Sequence, residues 1–294
     1  MRNLVFVHGR AQQAKDAVAL KKQWIQVLKE GLAKNGLVLP VSEDQVRFPY
    51  YGDTLAALSE GLSPEEAAAI VVRGEDQDQV QEEFIRDVLE EIRIQAGITR
   101  AQLREAAGDQ VVDRGPLQWE WFQGILKAID RYIPGGSGAS VALFTNDVYD
   151  YLTNPAVREQ INTGVRQAFA PGVSTVLVGH SLGSVVAYDI LRQLGDQEGW
   201  DVPLFVTVGC PLAVTKIKAA VAPIGHPRCA KKWFNAMDDA DVVALYPLND
   251  KHFDVSPAIE NKTDVHNRTQ NRHGIAGYLN DKDVAKRIYD ALVA

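Results

Sequence analysis

Residues 173–184 constrain this chain more than any other stretch. Val173-Ser174-Thr175-Val176-Leu177-Val178 is a short run rich in β-forming side chains, which predicts a strand buried on both faces. The chain then turns through Gly179-His180-Ser181-Leu182-Gly183 into Val185-Val186-Ala187-Tyr188-Asp189-Ile190-Leu191, an apolar segment of helix length. A serine on so tight a strand-to-helix turn takes strained backbone angles. Its neighbours have no room for side chains, which explains a glycine two places to either side. The turn lifts Oγ clear of the sheet beside a helix N-terminus, where backbone N–H groups and the helix dipole favour a developing negative charge. Five such residues alone can be an ordinary Gly/Ser turn. The strand before and the helix after favour a nucleophile.

Length and charge narrow the rest. With 294 residues, 46% hydrophobic and 23% charged, the chain suits one large α/β domain with an insertion, or two domains. The net charge is −7 and no basic stripe interleaved with aromatics occurs, so nucleic acid is not an expected partner. Cys210 and Cys229 make neither a disulfide framework nor a zinc site, and they fit a reducing compartment. Met1-Arg2-Asn3 leads straight into a strand without a signal-peptide pattern, and no apolar run is long enough to span a bilayer. The expectation is a cytoplasmic protein with no integral membrane association. Two glycosylation sequons, at Asn261 and Asn267, mean little without a secretion signal.

Read in order, Leu4-Val5-Phe6-Val7 is a strand followed at once by His8-Gly9-Arg10. Residues 17–33 form an amphipathic helix with Leu20, Trp24, Val27, Leu28 and Leu32 on one face. Residues 46–51 read as a second strand, stopped at Pro49. From residue 52 to 139 the character becomes helical: a helix start at Ser63-Pro64, then helices over 80–95, 99–107 and 119–133, with no convincing strand. Pro134-Gly135-Gly136-Ser137-Gly138 reads as a flexible joint rather than a phosphate loop, because no strand precedes it. Glu75-Asp76-Gln77-Asp78 reads as a solvated acidic loop rather than a metal site. Helices over 148–152 and 155–169 follow the joint. Beyond the serine turn come strands over 203–208 and 232–237, a plausible strand over 263–267, and a closing helix over 284–293. Such alternation predicts a mostly parallel sheet covered on both faces.

A serine hydroxyl is a weak nucleophile until a base takes its proton, and that base needs an orienting carboxylate. The chain beyond Ser181 supplies both in order. The acidic loop Asp238-Asp239-Ala240-Asp241 follows the 232–237 strand, and His273 lies downstream before the last helix. Asp241 is the favoured acid, with Asp238 and Asp239 in reserve and a loop-capping role open to all three. His273 is the favoured base and His266 the reserve, while His252 and His226 read as loop residues. His8 is expected to hold its loop by hydrogen bonding.

These residues together resemble a lipase/esterase-type α/β-hydrolase. Phe6-Val7-His8-Gly9-Arg10 resembles that family's oxyanion loop, and Gly179–Gly183 its nucleophile elbow. Val206-Thr207-Val208-Gly209-Cys210-Pro211-Leu212 is similar to a Gly-Ser-Pro-Leu strand end of intracellular lipases, with Cys210 in place of serine. Residues 235–244 resemble the segment carrying the triad acid, although Val242-Val243 lacks the usual proline, and residues 145–152 resemble a segment preceding the elbow in lipid-cleaving relatives. Residues 52–139 have no counterpart. The resemblance implies a hydrolase core over 1–51 and 140–294, with 52–139 as a helical cap or lid. It implies Ser181 as nucleophile, His273 as base, Asp241 as acid, and the N–H groups of Leu182 and Arg10 as oxyanion hole.

Arg10 and His180 are candidate substrate-contacting side chains, Arg10 through a guanidinium that could meet an anionic acyl or phosphate group. Cys210 reads as a small buried residue rather than a second nucleophile. Trp119, Trp121 and Phe122 read as cap core rather than an acyl-pocket wall. The expected activity is cofactor-independent, metal-free cleavage of a small-molecule carboxylic ester, with lipid esters and thioesters included, through an acyl-enzyme. A serine peptidase or amidase on the same residues, and a catalytically silent binding module, are the rival readings.

Overall fold

Short apolar segments bounded by turns set the architecture. A computed structural model describes residues 2–9, 16–52, 79–108 and 119–294. Six strands are present among these: β1 (Asn3–Val7), β2 (Val46–Arg47), β3 (Thr175–His180), β4 (Phe205–Val208), β5 (Trp233–Ala236) and β6 (Glu260–Lys262). They form one sheet in the order β2-β1-β3-β4-β5-β6, and every neighbouring pair is parallel. The four central strands are buried along their whole length, as a sheet covered on both faces requires.

Alternation along those strands sorts the core into two layers. Leu4, Phe6, Val176, Val178, Val206, Val208 and Phe234 point to one side. There they meet α1 (Ala17–Ala33), α9 (Ile275–Leu279) and α10 (Lys282–Val293). Val5, Val7, Leu177, Phe205 and Trp233 point to the other side. That layer holds α2 (Gln79–Gln95), α3 (Arg100–Ala107), α4 (Trp119–Tyr132), α5 (Gly138–Thr153), α6 (Pro155–Arg166), α7 (Leu182–Leu194) and α8 (Thr215–Ala220). The period-2 pattern of each strand thus feeds both faces. α1 starts where Asp16 accepts the Val18 N–H at 2.8 Å, and α10 where Asp281 accepts from Asp283 and Val284. No helix among the described residues is long and apolar enough to cross a membrane.

Several elements differ from the pattern-based expectation. The strand expected over 46–51 lasts two residues, because Tyr51 folds back and bonds His8 through its backbone N–H and its hydroxyl. The sixth strand is 260–262, not 263–267. Past Lys262 the chain is diverted by Asp238, whose Oδ2 accepts the Asn267 N–H at 2.7 Å. Residues 134–138 form a packed turn rather than a loose joint: Asp130 Oδ1 accepts the Gly138 N–H at 2.7 Å, and Gly136 abuts Ile129 and Ile133. That capped start launches α5 ten residues before position 148. α5 packs against α2, α4, α6 and α7, joining the described helices between 79 and 132 to those around the sheet. The helix start at Ser63-Pro64 and the acidic stretch 75–78 lie outside the described residues.

Candidate active site

Because every strand is parallel, all their C-terminal ends meet at one edge, and loops from five of the six converge there. Gly9 follows β1, Ser181 follows β3, Gly209 follows β4, the 238–241 loop follows β5, and His273 lies beyond β6.

Ser181 sits at φ 55° and ψ −128°. Among the described residues only Arg272 shares a positive φ without being glycine. Such a conformation costs on the order of 1–3 kcal/mol and persists only where the surroundings over-determine it. Here they do. Ser181 N–H donates to the Val208 carbonyl at 3.1 Å, Ser184 N–H to the Ser181 carbonyl at 2.9 Å, and Ser184 Oγ to the Gly179 carbonyl at 2.8 Å. A Cβ on Gly183 would strike the Val7 carbonyl and lie 2.6 Å from that of His8. A Cβ on Gly9 would lie 2.8 Å from Ser181 Cβ, so the backbone of the β1 loop runs against the serine.

The sequence places Ser181, Asp241 and His273 far apart, and the fold brings them into one chain of hydrogen bonds. Ser181 Oγ lies 2.8 Å from His273 Nε2, and His273 Nδ1 lies 2.7 Å from Asp241 Oδ2. A carboxylate only accepts, so Nδ1 carries the proton and Nε2 is free to accept from the serine. Asp241 is fully buried; its Oδ1 accepts the N–H of Val243 at 2.8 Å and of Ala244 at 3.4 Å. Burial alone would raise its pKa, but the His273 charge and hydrogen bond, with those of Tyr278 and Val243, outweigh it and hold the carboxyl below the usual aspartate value.

The other acids and histidines take different places. Asp238 caps the loop, accepting from Ala240 and Asn267 N–H groups, while Asp239 is exposed. His266 is exposed, His252 stacks on Tyr246, and His226 is buried beside Trp233 with Nδ1 on the Pro227 carbonyl. His8 is buried; its Nδ1 lies 2.7 Å from the Gly9 carbonyl and its Nε2 accepts the Tyr51 N–H at 3.1 Å, so it is neutral and braces the β1 loop. Burial depresses its pKa to about 4.

His180 turns inward. Its Nε2 donates to the His273 carbonyl at 2.7 Å, and its Nδ1 has no partner among the described residues. Burial, then repulsion from His273, lowers its pKa to about 3. It therefore braces His273 through the backbone while also lining the cavity below. Cys210 is buried and its thiol is pushed up to about 12 by that burial, which leaves it inert as a nucleophile. Leu182 is the first residue of α7, so its N–H is among those a helix leaves without an internal partner. Arg10 lies outside the described residues. Trp121 and Phe122 are buried in the helical layer.

Ser181 and His273 open into a cavity of about 240 Å³. Val141, Phe144, Val242, Val243 and Ile275 form its apolar walls, with Ser137 and Ser140 on α5's side. A larger groove of about 600 Å³ lies at the opposite sheet edge by Ser174 and Asp201, with no comparable set of reactive side chains.

Residues without an obvious pattern finish the site. Asn267 is buried: Nδ2 donates to the Gly274 carbonyl at 2.8 Å, and Oδ1 accepts from Thr269 Oγ1 at 2.6 Å. Thr269 Oγ1 in turn accepts the Gly274 N–H at 2.9 Å, and Asn271 Oδ1 the His273 N–H at 3.2 Å. The Asn267 sequon is thus an internal brace, and the amide of Asn261 is likewise bonded to the Leu248 and Ile259 carbonyls. Gly209 packs on the His273 ring; a Cβ there would lie 3.1 Å from Cε1. Tyr278 O–H donates to Asp241 Oδ2 at 2.6 Å. The only sequence signal for any of these is the general need of a buried carboxylate for several donors.

Comparison with protein-family models, curated proteins and solved structures finds no match to this chain.

Proposed function

We propose that this protein is a serine hydrolase of the α/β-hydrolase type that cleaves a carboxylic ester, with lipid esters and thioesters included, through an acyl-enzyme. The observation that carries this reading is the continuous bonding of Ser181, His273 and Asp241, at 2.8 and 2.7 Å, with the serine on a strained turn at a helix N-terminus. Its context adds support: an all-parallel sheet, the site at the C-terminal strand edge, and the chain order Ser, Asp, His. In the same reading 1–51 and 140–294 make the catalytic core and 52–139 a helical cap.

The chemistry follows from the geometry. Ser181 Oγ attacks the acyl carbon while its proton passes to His273 Nε2. The oxyanion is taken by the Leu182 N–H and by an N–H of the β1 loop, assigned to Arg10. His273 returns the proton to the departing alkoxide or thiolate and then deprotonates the water that releases the acid. Asp241 remains a carboxylate throughout, holding the imidazole in its Nδ1–H tautomer. The apolar walls of Val141, Phe144 and Val243 suit an uncharged acyl group.

Intact-mass labelling with a fluorophosphonate tests this directly. One adduct per chain is expected, absent from Ser181→Ala. A folded wild type that takes up no probe would overturn the reading and favour a silent binding module.

A further inference from the structure

A buried charged carboxylate at the end of a proton relay is held by every donor it touches, and here one donor is not part of the relay. Asp241 Oδ1 is occupied by the backbone N–H groups of Val243 and Ala244. Oδ2 is shared: His273 Nδ1 lies at 2.7 Å and the Tyr278 hydroxyl at 2.6 Å. Tyr278 stands on α9, five residues beyond the histidine, and is fully buried. Its oxygen accepts the Asp238 N–H at 3.3 Å, which leaves its single proton for Asp241. A phenylalanine would fill the same apolar space, so packing accounts for the ring and not for the hydroxyl.

We infer that Tyr278 is a positioning residue of the triad, whose phenol selects the carboxylate oxygen facing His273 and weakens it as an acceptor, thereby setting the basicity of the imidazole. This inference rests on the serine-hydrolase reading. The hydroxyl stays protonated, because burial and then the Asp241 charge push its pKa well above the ordinary phenol value. It also ties the two loops that meet at the site, the 238–241 loop through Asp238 and Asp241, and the histidine segment through its own helix.

The ionisable groups packed about the His273 ring among the described residues are few. Ser181 faces it from the elbow, His180 from the end of β3 and Asp241 from the loop after β5, and Tyr278 of α9 bonds that same Asp241 oxygen. Gly209 covers its face from β4 with no charge, and the adjacent Arg272 is exposed to solvent. His180 is neutral above about pH 3. Asp241 is therefore the one described charge in contact with the ring through the working range, and the phenol acts on that charge. Two donors spread the electron density of Oδ2. Removing the phenol proton leaves His273 as sole donor to that oxygen, strengthens the imidazolium–carboxylate attraction and raises the pH at which the imidazole gives up its second proton.

The test is the pH dependence of the fluorophosphonate labelling rate of Ser181 in wild type and Tyr278→Phe. The half-rate pH on the acid side is expected to rise by roughly half to one unit in the variant, about the value of one hydrogen bond. The Nδ1 proton resonance of His273 is expected to move downfield. Tyrosine replaced by 3-fluorotyrosine at the same position, a stronger donor of almost unchanged shape, is expected to shift both readings the opposite way. That analogue also decides the matter if Tyr278→Phe fails to fold. A rate reduced equally at all pH values, with an unmoved resonance, would mean a merely structural tyrosine and would overturn the inference. A wild type that does not label at all would instead defeat the serine-hydrolase reading.

Discussion

Ser181 and its two hydrogen-bonded partners are held by opposite means. Ser181 is placed by backbone: a strand, a helix, and two glycines within two residues fix a φ of 55° before any distant side chain is involved. Asp241 and His273 are placed by side chains reaching across the sequence. Asp238 captures Asn267, 29 residues on, Tyr278 captures Asp241 from 37 residues away, and Asn267, Thr269 and Asn271 tie the histidine loop to itself. Steric placement is rigid and tolerates no added atom. Placement by hydrogen bonds can be weakened one bond at a time, and this is where the two halves of the site can be separated by experiment.

The largest effect is expected at the elbow. Gly183→Ala puts a methyl group against the backbone carbonyls of Val7 and His8, which belong to β1 and its loop and cannot retreat without breaking the sheet. Destabilisation of more than about 4 kcal/mol is expected in urea unfolding, together with loss of fluorophosphonate labelling. A stable, labelling-competent variant would show that the turn has slack, and the contrast between the two halves would fall.

Acid should act next, on one brace in each half. His8 braces the β1 loop and His180 braces the backbone of His273, both as neutral rings, with pKa values lowered by burial to about 4 and about 3. A histidine whose folded pKa is depressed contributes stability that is complete above its unfolded value near 6.5 and is lost as pH falls toward the folded value. Between pH 7 and 5 the two together are expected to remove roughly 4 kcal/mol, read as a drop in the urea midpoint. His8→Gln should cut that pH dependence by about half. A midpoint independent of pH across this window would show that neither ring is held neutral by the fold.

The contrast also decides what could be read from the chain itself. Ser181, the alternating buried strands and helices such as 17–33 are local: a few adjacent side chains specify each of them, so pattern and structure coincide. The choice of Asp241 over Asp238 is not local. Both are buried carboxylates three residues apart, and what separates them is which one meets His273 and which one meets the Asn267 N–H. The strand expected over 263–267 failed for the same reason, since a side chain from another loop redirected an otherwise β-like segment. Nothing adjacent to Tyr278 in the chain gives it a role, because its partner Asp241 lies in a different loop.

The smallest effect is expected where one brace of the loop half is removed and the elbow is left alone. Asn267→Ala deprives the Gly274 carbonyl and Thr269 Oγ1 of a buried partner, at a cost of about 1–3 kcal/mol, and should lower the melting temperature by several degrees. The fold around Ser181 contains none of these bonds, so far-ultraviolet circular dichroism should be unchanged. His273, however, follows Asn271 in the released segment, and a displacement of about 1 Å at a base is enough to slow its reaction by roughly 100-fold. Labelling should therefore slow by about that factor while the protein stays folded. Equal losses in Gly183→Ala and Asn267→Ala, each proportional to lost stability, would instead mean that the edge melts as one unit and that the two means of placement are not independent.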